Sequence, residues 1–324
     1  MIKHIAGWIV TACIIAATPA LAADPWPTRP VTVICPFPPG ISTDILTRVV
    51  ATALSDALGQ QFVVENRPGA SGNIGGATAA KAAPDGYTLF TGTLGPTVTN
   101  KFLYPNMGYD PDLAFAPIAL LASSPLILVG SPKMPATNLK EMIVHAKKNP
   151  GKLNAGTVGP GSQAHITLEL INKLAGTSIV HVPYRITTQA LPDLISGDLQ
   201  MGFYYIPTFV PAVQAGTIRG LAVTSTARVS DLPNVPTVEE SGFPGFEASG
   251  WNALFAPAGT PPEIIAKVNA IVNAYLKSDA GKAQVERKLG MTALGGTPEQ
   301  LKTHLQRETA KWGSVIKDSR IKVQ

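Results

Sequence analysis

Short apolar runs rich in β-branched residues alternate along this chain with segments of helical periodicity, and that alternation limits what it can fold into. "VTVICPF" is followed by a helical pattern over 43–58, "QFVVEN" by a Gly/Ala-rich segment to Lys81, and "YTLFTG" by a polar loop and a helix over 97–103. Strand–helix–strand units of this kind build parallel sheets with helices on both faces. The pattern restarts after "SPLILVGSP" at 124–132, with helices over 138–148, 162–175, 187–196 and 207–215. Between them lie the strand-like runs "KLNAGTV", "SIVHVPY", "LQMGFYY" and "IRGLAVTS". "GWNALFAPAGTPPEIIAKVNAIVNAYL" then gives one strand, followed by amphipathic helices to the C terminus. The expectation is an α/β chain of two doubly wound lobes, 23–124 plus 251–324 and 125–250, hinged at strand-like connections near 124–130 and 250–257.

A chain of 324 residues with 45% hydrophobic and 15% charged side chains can fill two ordinary cores. Its first segment, 1–22, carries one lysine, an apolar run and Ala20-Leu21-Ala22 before Ala23-Asp24. That is the pattern of a secretory leader with a small-x-small cleavage site, so export to the periplasm with cleavage near Ala22/Ala23 is expected. Pro19 interrupts the apolar run, which falls short of the roughly 20 residues needed to span a bilayer. Lipidation at Cys13, in Val10-Thr11-Ala12-Cys13, is the alternative. Cleavage leaves Cys35 as the only cysteine and no intramolecular disulfide, so Cys35 reads as a small buried hydrophobe. The net charge of +5 comes from scattered Lys and Arg. The clustered footprint of a nucleic-acid binder is missing, and a small anionic ligand fits better.

In open α/β sheets ligands sit beyond the carboxyl ends of the strands, where helices begin. After "VTVIC" the chain offers Phe37, a proline-stiffened turn to Gly40, Ile41, and then Ser42, Thr43 and Asp44 at a helix start. Prolines restrict such a loop before any ligand arrives, and free amides at a helix N terminus attract an anion. Ordinary N-capping by Ser42 or Thr43 is the competing reading. "GTVGPGSQAH" repeats the logic with Gly161, Ser162, Gln163 and His165, so the two lobes present matching ends for a ligand with two acidic groups. "RPGASGNIGG" lacks the G-x-G-x-x-G order of a dinucleotide loop and is read as close packing of a helix on its sheet. Catalysis has little to stand on: there is no G-x-S-x-G elbow, and His165 with Glu169 lacks a third metal ligand. An exported enzyme with His165 as base is carried as the rival class.

"PFPPGISTDI", "VVENRPGASGNIG", "AAPDGYTLF", "NPGKLNAGTVGPGSQAH", "HVPYR", "AGTIRGLAVTSTAR", "DLPNVPTVEESG" and "WNALFAPAGTPPEII" resemble, in order, the signature segments of the tripartite tricarboxylate transporter receptors, the TctC-like or Bug extracytoplasmic solute receptors. The resemblance implies a type II periplasmic-binding-protein fold, no catalysis and no cofactor. It further implies a monomer that delivers a small carboxylate to the permease subunits of a membrane transporter, or presents it to a signalling partner. Carried over, the ligand contacts are Phe37 to Asp44, Thr91 to Thr93, Val158 to His165 and the Pro183-Tyr184-Arg185 turn, with Arg185 as the direct carboxylate contact. The family usually has glycine where this chain has Ile41 and Ile186, and often aspartate where it has Tyr204, followed by Tyr205. These apolar gains favour an aromatic carboxylate such as terephthalate over an aliphatic di- or tricarboxylate. Ring stacking contributes about 0.5–1.5 kcal/mol beyond area burial.

Overall fold

A computed structural model describes residues 26–184, 186–319 and 321. The strands are β1 (Val31–Cys35), β2 (Phe62–Asn66), β3 (Thr88–Thr93), β4 (Phe115–Ser124), β5 (Leu126–Gly130), β6 (Asn154–Thr157), β7 (Val180–Pro183), β8 (Met201–Tyr205), β9 (Arg219–Val223), β10 (Gly250–Pro257) and β11 (Thr292–Gly295). The helices are α1 (Ser42–Leu58), α2 (Asn73–Ala80), α3 (Asn100–Leu103), α4 (Leu139–Lys148), α5 (Gln163–Ala175), α6 (Ala190–Ser196), α7 (Ile206–Gln214), α8 (Pro262–Lys277), α9 (Asp279–Lys282) and α10 (Pro298–Asp318). They form two sheets, ordered β11-β4-β10-β3-β1-β2 and β7-β6-β8-β5-β9.

The sheets are mixed rather than wholly parallel. β1 is parallel to β2 and β3, and β6 to β7 and β8, as the strand–helix alternation predicts. Each strand that follows a passage from one sheet to the other is inserted antiparallel: β5 between β8 and β9, and β10 between β3 and β4. The two passages run side by side. Ser124 and Gly250 are register partners, Leu126 N donates to Thr224 Oγ1 at 2.8 Å, and Ala248 N donates to Thr224 O at 3.1 Å.

Burial explains why these runs are strands. On β5, Leu126 and Leu128 enter one core cluster while Ile127 and Val129 enter another, and all four are fully buried. A strand covered on both faces reads as a continuous apolar run. In α1, Leu46, Val50 and Leu54 recur every fourth residue and meet Val31 and Val33 of β1 and Val268 and Val272 of α8 in one cluster. Each such side chain contributes about 1.5–3 kcal/mol on burial.

Two strands are not foreseen in the sequence. β4 contains Pro117, which argues against an internal strand because it lacks an amide donor. The sheet accommodates it with a register shift between Leu254 and Phe255 of β10, where Phe255 stands opposite Pro117. β11 is four residues long and lies at the sheet edge. The Gly-rich stretch packs closely, but its closest backbone contacts are at the ends of strands rather than on their faces: a Cβ on Gly75 would come within 2.8 Å of Pro36 Cα, where the loop after β1 begins.

Candidate ligand cleft between the two sheets

The carboxyl ends of β1, β3, β6 and β8 open onto one cleft of about 940 Å³. Thirteen of the residues singled out in the sequence line it: Phe37, Ile41, Ser42, Thr43, Thr93, Val158 to Gln163, Pro183 and Tyr205. The described lining contains no Asp, Glu, His, Lys or Arg. Its polarity comes instead from hydroxyls, carboxamides and helix starts.

The α1 terminus is the clearest case. Its N-cap is Ile41, in extended conformation and with no side-chain capping bond, so neither Ser42 nor Thr43 caps the helix. Among the described residues nothing accepts from the amides of Ser42, Thr43 and Asp44. These are the orphan donors of a helix start, and the aligned peptide dipoles add partial positive charge there. At α5, Ser162 is the cap: its hydroxyl accepts from His165 N at 3.2 Å and donates to Gly159 O at 2.7 Å. α7 begins at the same opening, with Tyr205, Pro207 and Thr208 on the wall.

Asp44 does not face the cleft. It is 2% exposed and holds the loop from behind, accepting from Gly40 N at 2.9 Å, Arg48 Nε at 3.1 Å and Asn66 Nδ2 at 2.8 Å. Asn66 also donates to Phe37 O at 2.9 Å and accepts from Arg48 at 2.9 Å. Burial alone would push the Asp44 carboxyl up, but the bonds from Arg48, Gly40 and Asn66 outweigh it and leave the carboxyl below its ordinary range. Gly40 stays off the wall as well. Its φ of +86° makes the turn that lets its amide reach Asp44.

Other expected contacts are also displaced. Thr91 is fully buried and accepts from Thr47 at 3.0 Å, fastening α1 to β3. Tyr184 donates to Asp193 at 2.5 Å, and its phenol is pushed up to about 12 by burial and by that carboxylate. Ile186 is 56% exposed and is not part of the wall. Tyr204 sits in the core against Phe209, with ring centroids 4.6 Å apart. Strand alternation on β8 accounts for it: Tyr204 points inward, and the next residue, Tyr205, reaches the cleft. Arg185 lies outside the described residues, as does the expected leader.

His165 is spent on the loop rather than on chemistry. Its Nδ1 accepts from Gly161 N at 3.1 Å, and its ring stacks on His181 at 3.7 Å. Burial, with His181 adding to it, lowers its pKa to about 4, so it is neutral at physiological pH. It does not line the cleft, which removes the base on which the enzyme reading depended.

Several wall residues come from segments that carry no binding motif in the sequence. Trp251 and Asn252 begin β10, and Leu289, Gly290 and Met291 precede β11. The signal that was available is the position of "GWN" at the second passage between sheets.

Residues 46–321 match the family described as the tripartite tricarboxylate transporter family receptor, TctC. The chain belongs to that family. Members are solute-binding receptors, not enzymes, and the two-lobed body is the type II periplasmic-binding-protein fold. Among solved TctC-like structures, R. palustris Rpa4515 with adipate is 39% identical with a TM-score of 0.75, and covers 90% of this chain and 97% of its own. MatC from Rhodopseudomonas palustris, with bound malate, is 33% identical with a TM-score of 0.72, covering 90% and 100%. The periplasmic binding protein BugD is 31% identical with a TM-score of 0.72, covering 92% and 100%.

Proposed function

We propose that this TctC-family receptor captures a small carboxylate in the inter-lobe cleft and delivers it to a membrane transporter of the tripartite tricarboxylate type. The observation that carries this reading is the unpartnered start of α1, a set of amide donors opening onto a cleft whose described lining has no charged side chain. Similarity to proteins solved with adipate and with malate supports the ligand class. We further propose export with cleavage near Ala22/Ala23, and lobe closure about the connections near 124–130 and 250–257, where Ser124 and Gly250 are register partners.

Within that class the apolar wall formed by Phe37, Ile41, Trp251, Leu289 and Met291 favours a flat body over a short polar one. Burying about 100 Å² of ring surface contributes about 2.5 kcal/mol. Ile186 and Tyr204 do not contribute to this wall, so Phe37, Ile41, Trp251, Leu289 and Met291 are the apolar surface that a ring would meet. A thermal-shift panel decides between the alternatives. Terephthalate is expected to raise the melting temperature more than adipate, malate or citrate. Stabilisation by the aliphatic acids, with none by benzene carboxylates, assigns an aliphatic ligand instead.

A further inference from the structure

Asn252 is the least explained polar side chain of the cleft. It is 5% exposed, yet it lines the cavity. Its Oδ1 is buried without a partner, while Nδ2 is not among the buried orphan atoms and donates to no described residue. Buried carboxamides are almost always bonded, and here the Nδ2 end at the cavity wall is the one that can reach an anion, because the buried Oδ1 is an acceptor and cannot take a carboxylate. It is also held firmly in place. The backbone of Asn252 lies on the central strand β10, paired with Thr93 of β3 on one side and Ala122 of β4 on the other. The ladder to β4 shifts register between Asn252 and Ala253. Such bulges re-aim side chains beside binding sites, and here the consecutive residues Gly250, Trp251 and Asn252 all reach the cleft, against strict strand alternation.

We infer that Asn252 is a ligand-contacting, specificity-determining residue, which donates from Nδ2 to an oxygen of the bound acid at the floor of the cleft. The inference rests on the carboxylate reading above and adds a side-chain donor to the main-chain donors of α1. A neutral donor on a rigid strand rewards an acceptor at one position and requires no ordering when the ligand arrives. It also penalises a ligand that leaves the amide unpaired, because that group has no described protein partner to fall back on.

The test is calorimetric titration of the full mature chain and of Asn252→Ala and Asn252→Leu with adipate, malate and terephthalate, alongside melting curves without ligand. Asn252→Leu keeps the volume and removes the donor, so it serves where Asn252→Ala disturbs the floor. For whichever acid the wild type binds, both variants are expected to lose about tenfold or more in affinity. Asn252→Asp is expected to lose more at neutral pH and to recover as the pH falls and the new carboxyl takes up a proton. Unchanged affinity in both the Ala and Leu variants overturns the inference, as does a loss of melting temperature with the Kd of the folded protein intact. If the wild type binds none of the three acids, the carboxylate reading fails and takes this inference with it. Binding that does not depend on residue 252 removes this inference alone.

Discussion

Ser42→Asp is expected to abolish ligand binding while leaving the unliganded protein as stable as before, or slightly more so. Ser42 is the first residue of α1, exposed at the cleft wall, so a new carboxylate there stays hydrated. A negative side chain in the first turn interacts favourably with the helix dipole, by about 0.3–1 kcal/mol. The same charge would stand where the ligand carboxylate is proposed to dock. Two like charges about 5 Å apart at an effective dielectric near 20 repel by about 3 kcal/mol, more than a hundredfold in affinity. The opposite signs are what make the experiment informative. A variant that merely damages the loop loses stability and affinity together, whereas an occupied anion site loses affinity alone. Calorimetry and thermal melting of the same preparation read both.

Asp44→Ala is expected to cost about 2–3 kcal/mol of folding stability and to weaken binding, although the side chain never touches the cleft. Removal leaves the Gly40 amide without its acceptor and strips Asn66 of one of its two; both groups are only partly buried, so water meets part of the loss and each stands at the lower end of the about 1–3 kcal/mol that a buried unmade bond costs. Arg48 is half exposed and recovers water, which keeps the cost below that of a fully buried pair. The loop from Phe37 to Thr43 would then have to be ordered by the ligand itself. Chemical denaturation gives the first quantity and titration the second.

Acid acts on the same two loops. Asp44 has a folded-state pKa below its unfolded value, so its contribution is full above the unfolded pKa and is lost as pH falls through the folded one. His165 has a folded pKa of about 4 against an ordinary value of 6.5. Between those two values the unfolded chain binds the extra proton, so stability declines as pH falls across that window. Protonation of Nδ1 would also remove the acceptor for Gly161 N beside the Ser162 cap.

Much of this architecture is legible in the sequence because it is written in short-range periodicity. The four-residue spacing of Leu46, Val50 and Leu54 and the unbroken "LILV" of β5 need no partner to be recognised. What stays hidden depends on partners far along the chain. β4 is a strand despite Pro117 because β10 and β11 flank it. Met291 and Trp251 form one wall although they lie in segments separated by α8 and α9. The candidate site divides in the same way. Phe37, Ile41, Ser42 and Thr43 follow from a strand–loop–helix pattern, whereas the turning of Asp44 away from the cleft follows from Asn66 and Arg48. One residue of phase on β8 separates Tyr204 in the core from Tyr205 on the wall.

The main-chain amides at the start of α1 are proposed to hold the charge of a carboxylate, beside whatever Arg185 adds. Titration of the mature protein with the acid that gives the largest thermal shift, and with the diamide of that acid, tests it most directly. The two ligands share size and shape and differ in charge, and an amide presents N–H donors where the helix start presents only donors of its own. The acid is expected to bind at least about a hundredfold more tightly, as removal of an interaction worth about 3 kcal/mol requires. Equal affinity for acid and diamide would mean that the start of α1 does not hold the ligand's charge.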